Sequence, residues 1–214
     1  MSILKRVITQ MKPIKQDTIL LLVSNPVDVL TAFAQEIAGL PKSQVIGSGT
    51  FLDSIRLRGL LAEQAEVAAS SIDAYVLGEH GDSQFVAWSI ATIGGIPIDK
   101  AIPGTLDRTT LEDTTRHKAQ TIIKAKGATA YGIGSIVASI CSSILFDKHN
   151  VRPISHYQED LQCCLSLPAV LGRKGIVRTI PLPLSEEEKK LLEASAKSLN
   201  ETISESRKDF LELE

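Results

Sequence analysis

No stretch of this chain comes near the ~18–20 consecutive apolar side chains that cross a bilayer. Met1 to Lys15 also lacks the long apolar core of a signal peptide. Nor is there an excess of positive charge. The 23 lysines and arginines stand against 25 aspartates and glutamates, a net charge of −2, and this leaves no electrostatic footprint for nucleic acid. Cysteine is scarce and odd in number: Cys141, Cys163 and Cys164 cannot all pair, and adjacent cysteines seldom bridge. That usage fits a reducing, cytoplasmic compartment. Internal repeats, low-complexity tracts and Ser/Pro-rich linkers are missing. What remains is 214 residues, 43% of them apolar. Such a length suits one domain, or one domain with part of another. It can bury roughly 70% of its unfolded surface and so needs no disulfide or metal to fold. A soluble globular protein is expected.

The first fifty residues read strand–helix–strand. A short helical pattern (Ile3, Leu4, Val7, Ile8, Met11) breaks at Lys12-Pro13. Thr18 to Ser24 is then a continuous apolar run rather than an alternating one, the habit of strands buried between helices in parallel sheets. Asn25-Pro26 ends it, a helix follows over 27–38, and Gly39 and Pro41 stop that helix. Val45-Ile46-Gly47 predicts a second strand and 53–67 another helix. This is the opening pattern of a doubly wound α/β sheet. The remainder is mixed α+β. Short strands are expected at 74–77 and within 85–98, and helices at 111–126 and 129–147. A three-stranded meander is expected over 150–158, 161–171 and 175–180, with a long closing helix over 185–213. Ser185 three residues before Glu188 is its capping signal. The run Glu186-Glu-Glu-Lys-Lys190 reads as a solvated helix start, and Cys163-Cys164 as core.

A few residues could carry chemistry. His80, flanked by glycines in the turn after a strand, can hold or release a proton near neutrality. It can equally be a turn histidine beside acidic Glu79 and Asp82. No metal is expected on these three, because His117, His149 and His156 offer no second-ligand spacing. Asp53 and Arg56 lie three apart on one helix face. They suit a local ion pair at a helix start, or a carboxylate that orients a histidine and a guanidinium that grips a carboxylate. Asn25 stands at the carboxyl end of the first strand, where open α/β sheets bind ligands, and is also a natural turn residue before proline. Thr129 is most simply an N-cap.

Together the segments Leu22-Val-Ser-Asn-Pro-Val-Asp28, Val45-Ile-Gly-Ser-Gly49, Leu52-Asp-Ser-Ile-Arg56 and Leu77-Gly-Glu-His-Gly-Asp-Ser83 resemble the lactate/malate dehydrogenase family, in order and spacing as well as in residues. Lys126-Gly-Ala-Thr-Ala-Tyr-Gly-Ile-Gly134 resembles the L-lactate rather than the malate branch, and Pro168 to Gly175 fits a late hairpin of that family. The resemblance implies the end of a Rossmann-type dinucleotide-binding domain over 1–47 and a substrate-binding catalytic domain over 48–214. It implies NAD-dependent interconversion of L-lactate and pyruvate, with His80 as proton donor and acceptor, Asp53 orienting it and Arg56 holding the substrate carboxylate. Asn25 would touch substrate and nicotinamide, Val23 would line the cofactor site, and Thr129 would approach the substrate's methyl end. A small 2-hydroxy or 2-keto acid substrate and a homotetramer are implied as partners.

The glycine-rich phosphate loop, the ribose-reading acid and the mobile loop with its second arginine lie, in that family, ahead of the point that matches Met1. No substitute occurs in this chain, since Gly132 and Gly134 fall in a helical pattern without a third glycine. An amino-truncated family member is therefore expected, with most of the proton chemistry and little of the cofactor site. A malate dehydrogenase, or a non-catalytic paralogue acting through subunit association, are the alternatives. The strand at 19–23 would present an open, apolar edge.

Overall fold

A computed structural model describes residues 2–127 and 129–211. Helix α1 (Ser2–Gln10) leads to strand β1 (Leu20–Leu22), helix α2 (Val27–Ala38), strand β2 (Val45–Gly47) and helix α3 (Phe51–Ala65). Short strands β3 (Ile72–Asp73), β4 (Val76–Leu77), β5 (Phe85–Val86), β6 (Thr92–Ile93) and β7 (Ile96–Pro97) follow, then helices α4 (Ile98–Ala101), α5 (Arg108–Lys126) and α6 (Ala130–Leu145). The meander β8 (Asn150–Gln158), β9 (Cys163–Gly172), β10 (Gly175–Thr179) and the long helix α7 (Glu186–Leu211) complete it. The expected end of that helix, Leu213, lies outside the described residues, as does Ala128 of the segment before α6.

One five-stranded sheet, in the order β1-β2-β8-β9-β10, ties the two halves of the chain together. β1 and β2 run parallel, as strand–helix–strand units require, while β8 and β9 pair antiparallel over nine positions, from Asn150 opposite Leu171 to Gln158 opposite Cys163. The join is a single antiparallel pair, Gly47 opposite Ser155. Two small sheets, β3-β6-β7 and β4-β5, lie beside it. Leu57 and Leu61 of α3 pack with Ile72, Val76, Val86 and Leu111 into one core, and Ile46, Ile136, Ile140, Ile154 and Leu171 form a second between sheet and α6. Among the described residues no helix is long and apolar enough to cross a membrane.

Two expectations need correcting. β1 is shorter than the run from Thr18 to Ser24, and its residues are half-buried rather than buried on both faces. Helices do flank it, since Ile19 and Leu21 lean on the α6 side and Leu20 and Leu22 on the α1–α2 side. However, among the described residues it pairs with β2 alone, so one long side stays uncovered. The second correction concerns the acidic start of α7. Glu188 is buried, not solvated. Its carboxylate accepts the Ser89 amide at 2.9 Å, the Ser89 hydroxyl, and the Ser185 amide at 2.9 Å, while Ser185 Oγ accepts the Glu188 amide at 3.2 Å. The capping box therefore forms, and its glutamate also staples α7 to the loop at Ser89.

Candidate active site

Three chain segments converge at the carboxyl ends of β1, β2 and β4. α2 starts just after Asn25-Pro26, and α3 starts just after Gly49-Thr50. The α3 start is fixed from two sides: Thr50 Oγ1 donates to the Val76 carbonyl at 2.5 Å, and Ser54 Oγ accepts the Val76 amide at 2.9 Å. Ser166 Oγ of β9 accepts the Thr50 amide at 3.0 Å. Only glycine fits at Gly49, where φ is +52° and a β-carbon would lie 2.2 Å from Ser166 Oγ and 2.5 Å from the Ser155 nitrogen. The third segment, Gly78 to Ser83, leaves β4 as a loop joined to β9, with Gly78 and Ser166 exchanging backbone bonds of 3.1 and 2.8 Å.

This scaffold brings His80, Asp53 and Arg56 together. His80 Nδ1 lies 2.7 Å from Asp53 Oδ2, and Arg56 donates to Asp53 Oδ1 at 3.1 Å. Asp53 is 2% exposed, so both its oxygens are occupied inside the protein. The two readings of Asp53 and Arg56 therefore hold at once: they form a local ion pair, and the carboxylate also takes the imidazole. An ionised Asp53 assigns the proton to Nδ1 and leaves the lone pair of a neutral ring on Nε2. Among the described residues Nε2 has no hydrogen-bond partner, and the side chain is 26% exposed, so this nitrogen is free for a ligand. Burial disfavours a charged His80. The hydrogen bond and charge of Asp53, then the charge of Asp28, outweigh burial and raise its pKa above the ordinary histidine value, with Arg56 opposing them. Arg56, 11% exposed, makes its single hydrogen bond to Asp53 among the described residues. Its other guanidinium donors are free to grip an anion.

The other sequence candidates are less engaged. Asn25 is exposed and Val23 half-buried, and the Asn25 side chain has no hydrogen bond among the described residues. The start of α2 nonetheless reaches the loop, because the His80 amide donates to Asp28 three residues further on. Thr129 occupies the N-cap position of α6 but makes no side-chain cap bond, so the simple capping reading fails. The first turn of α6 lies close to α3, where a β-carbon at Gly132 would meet Leu52 at 3.5 Å. Among the described residues no group of three or more His, Cys, Asp or Glu side chains is arranged to hold a metal ion.

Sequence reasoning missed several residues that hold this loop. Asp28, 2% exposed, accepts the His80 amide at 2.7 Å. Ser195 of α7 accepts the Glu79 amide at 2.9 Å and lies 2.9 Å from Ser83 Oγ, which donates to Glu79 at 2.5 Å. These partners come from residues 52 and 116 positions away. In the sequence they show only as an acid at a helix start and a serine within a helix.

A buried aspartate on an imidazole, beside an arginine with spare donors and at the end of a parallel strand pair, is an arrangement able to do acid–base chemistry next to a bound anion. Residues 50–210 match the model of the lactate/malate dehydrogenase alpha/beta C-terminal domain, and residues 1–47 match that of the same family's NAD binding domain. The chain belongs to the lactate/malate dehydrogenase family. It is 44% identical over 199 residues to L-lactate dehydrogenase A of Rhizopus oryzae, a match that covers 92% of this chain and 62% of that one. With L-lactate dehydrogenase of Streptococcus gordonii it shares 42% identity over 218 residues, covering 98% of this chain and 66% of the relative. The fold superposes on the minor L-lactate dehydrogenase of Enterococcus mundtii with a TM-score of 0.90 at 32% identity, covering 95% of this chain and 68% of that one. A lactate dehydrogenase from a Medee basin deep-sea metagenome library gives 0.89 at 36%, with the same coverage. The chain thus spans a little over three-fifths of the length of the Rhizopus relative.

Proposed function

We propose that these residues perform the proton chemistry and substrate binding of an NAD-dependent L-lactate dehydrogenase. The observation that supports this most is the Asp53–His80 contact of 2.7 Å, with His80 Nε2 left free beside an underused Arg56. When bound, NAD supplies the hydride acceptor or, reduced, the hydride donor. Every other step belongs to the chain. Arg56 holds the carboxylate of lactate or pyruvate through the guanidinium donors that Asp53 does not take. His80 Nε2 takes the lactate hydroxyl proton during oxidation and returns it to the carbonyl oxygen during reduction. Asp53 keeps the ring in the required tautomer and stabilises the imidazolium. Asn25 donates to the substrate oxygen, and Val23 and Asn25 line the nicotinamide side. The carboxyl end of the parallel β1–β2 pair supports that role. Thr129, whose hydroxyl caps nothing, is left to face the methyl end of the substrate. A cytoplasmic homotetramer, with division into a nucleotide-binding part over 1–47 and a catalytic part over 48–214, belongs to the same reading.

A second reading, a non-catalytic subunit that acts by association, draws support from the one-sided pairing of β1. One experiment separates the two. The chain is joined to the portion of the Streptococcus gordonii relative that their match leaves uncovered, and NADH oxidation is followed with pyruvate. Turnover upholds the first reading, and a folded chimera without turnover favours association alone.

A further inference from the structure

His80 has a second buried carboxylate besides the one on its ring. Asp28, in the first turn of α2, reaches across 52 positions to accept the His80 amide at 2.7 Å, and it is as deeply buried as Asp53. The preceding amide, of Glu79, goes to Ser195 on α7, and Gly78 pairs with Ser166 on β9. Three consecutive residues are thus held by three different elements, and the last of these holds carries a charge. A neutral acceptor would satisfy an amide as well, as Ser195 does one residue earlier, so a buried aspartate needs another reason. Asp28 is also poorly served as a structural acid. Its Oδ1 has no amide donor and makes no hydrogen bond of ordinary geometry, with the Ser155 hydroxyl as its one polar neighbour.

We propose, resting on the function proposed above, that Asp28 is a positioning residue for His80: it holds the backbone amide that sets the ring on Asp53, and its charge supports the imidazolium in addition to that of Asp53. The geometry makes His80 the shared partner of two carboxylates, one on its side chain and one on its main chain. Other charges face this pair. Arg56 on α3 opposes a positive His80, Glu79 in the loop opposes a second negative charge, and the Cys163 and Cys164 thiols of β9 face Asp28, with burial keeping them protonated. Burial, more than Glu79, pushes the Asp28 carboxyl up to about 6, with Ser155, the His80 amide and the His80 charge pulling it back. Asp28 and His80 therefore each influence the other's charge.

The test needs neither substrate nor cofactor, so its failure is separate from any failure of the proposed reaction. Diethylpyrocarbonate acylates unprotonated imidazole nitrogen, and peptide mass spectrometry across a pH series reads the midpoint for each histidine. Exposed His117 serves as the internal reference, and buried His156 reports an intact core. In the wild-type chain His80 takes one acyl group, at Nε2. Asp28→Asn keeps the amide acceptor and removes the charge. The His80 midpoint then moves to lower pH while that of His117 stays, and acylation remains single. Asp28→Ala removes the acceptor too, and a second acyl group reaches Nδ1 while His156 stays unreactive. An Asp28→Asn midpoint that stays in place or rises overturns the proposal, as does single acylation in a folded Asp28→Ala chain. Should Asp28→Ala unfold and expose His156, Asp28→Asn alone decides.

Discussion

The surroundings of His80 and the strand β1 lie on either side of the turn that leads into α2, yet they are built in opposite ways. Before and at His80 the amides of three consecutive residues, 78 to 80, each have a buried partner on a different element, and the ring itself sits on a carboxylate with 2% exposure. β1 is three residues of leucine, half-buried, hydrogen-bonded along one side among the described residues. The contrast shows where this chain supplies its own order. The His80 loop is complete in its supports, whereas β1 offers, among the described residues, unpaired backbone along one side.

That comparison can be broken at its tightest point. Gly49→Ala forces a β-carbon onto Ser166 Oγ and the Ser155 backbone at a positive φ, with backbone rather than a flexible tip in the way. The expected cost is roughly 3 kcal/mol or more, read as a lower denaturant midpoint. Gly39→Ala has a positive φ but meets nothing within 4 Å, and should cost about 1 kcal/mol.

Next in size is the effect of pH on Asp28. A carboxyl whose folded pKa is raised to about 6 binds its proton more tightly in the folded state. Its contribution to stability is therefore full below the ordinary carboxylate range and is lost as pH rises through about 6. The ionised form weakens the fold by roughly 3 kcal/mol at neutral pH. Asp28→Asn should then be more stable than the parent at pH 7 and no different near the acid end, in thermal melts across that range. His80, also raised, adds a loss in the same direction at higher pH.

At the loose end, the open side of β1 predicts concentration-dependent self-association of these 214 residues, because its apolar edge bears no proline or charge. Leu21→Lys places a charge there and should shift sedimentation toward a single 23.1 kDa species. A parent chain already monodisperse at micromolar concentration would remove the contrast. The smallest effect belongs to the surface. Breaking the exposed Arg207–Glu36 pair with Glu36→Gln should change stability by less than about 1 kcal/mol.

The sequence disclosed the parts of this picture that are local. The apolar run before Asn25-Pro26, the glycine stop at Gly39, the meander and the capping box at Ser185 are all short-range signals, and the structure carries each of them. His80, Asp53 and Arg56 stood out because residue type and spacing restrict their chemistry. The half-burial of β1 was not legible, since it depends on what lies beside the strand rather than on its own residues. Asp28, Glu188 and Ser195 look like helix-start acids or an ordinary helix serine, and acquire meaning through contacts 52, 99 and 116 positions away. Such pairings are fixed by the tertiary fold. No periodicity reports them.

The central claim is that His80, held by Asp53, moves the proton. Turnover of pyruvate by the chimera described above tests it most directly when compared between the parent, His80→Asn and Asp53→Asn. Asparagine at 80 keeps a polar side chain of similar reach but cannot accept a proton near neutrality, and asparagine at 53 keeps the shape but not the charge that orients and steadies the ring. The account predicts that kcat falls by ~10²–10⁴-fold in His80→Asn, and substantially in Asp53→Asn, with the far-UV spectrum and melting behaviour preserved. A folded His80→Asn chimera that turns over at the parent rate would contradict it.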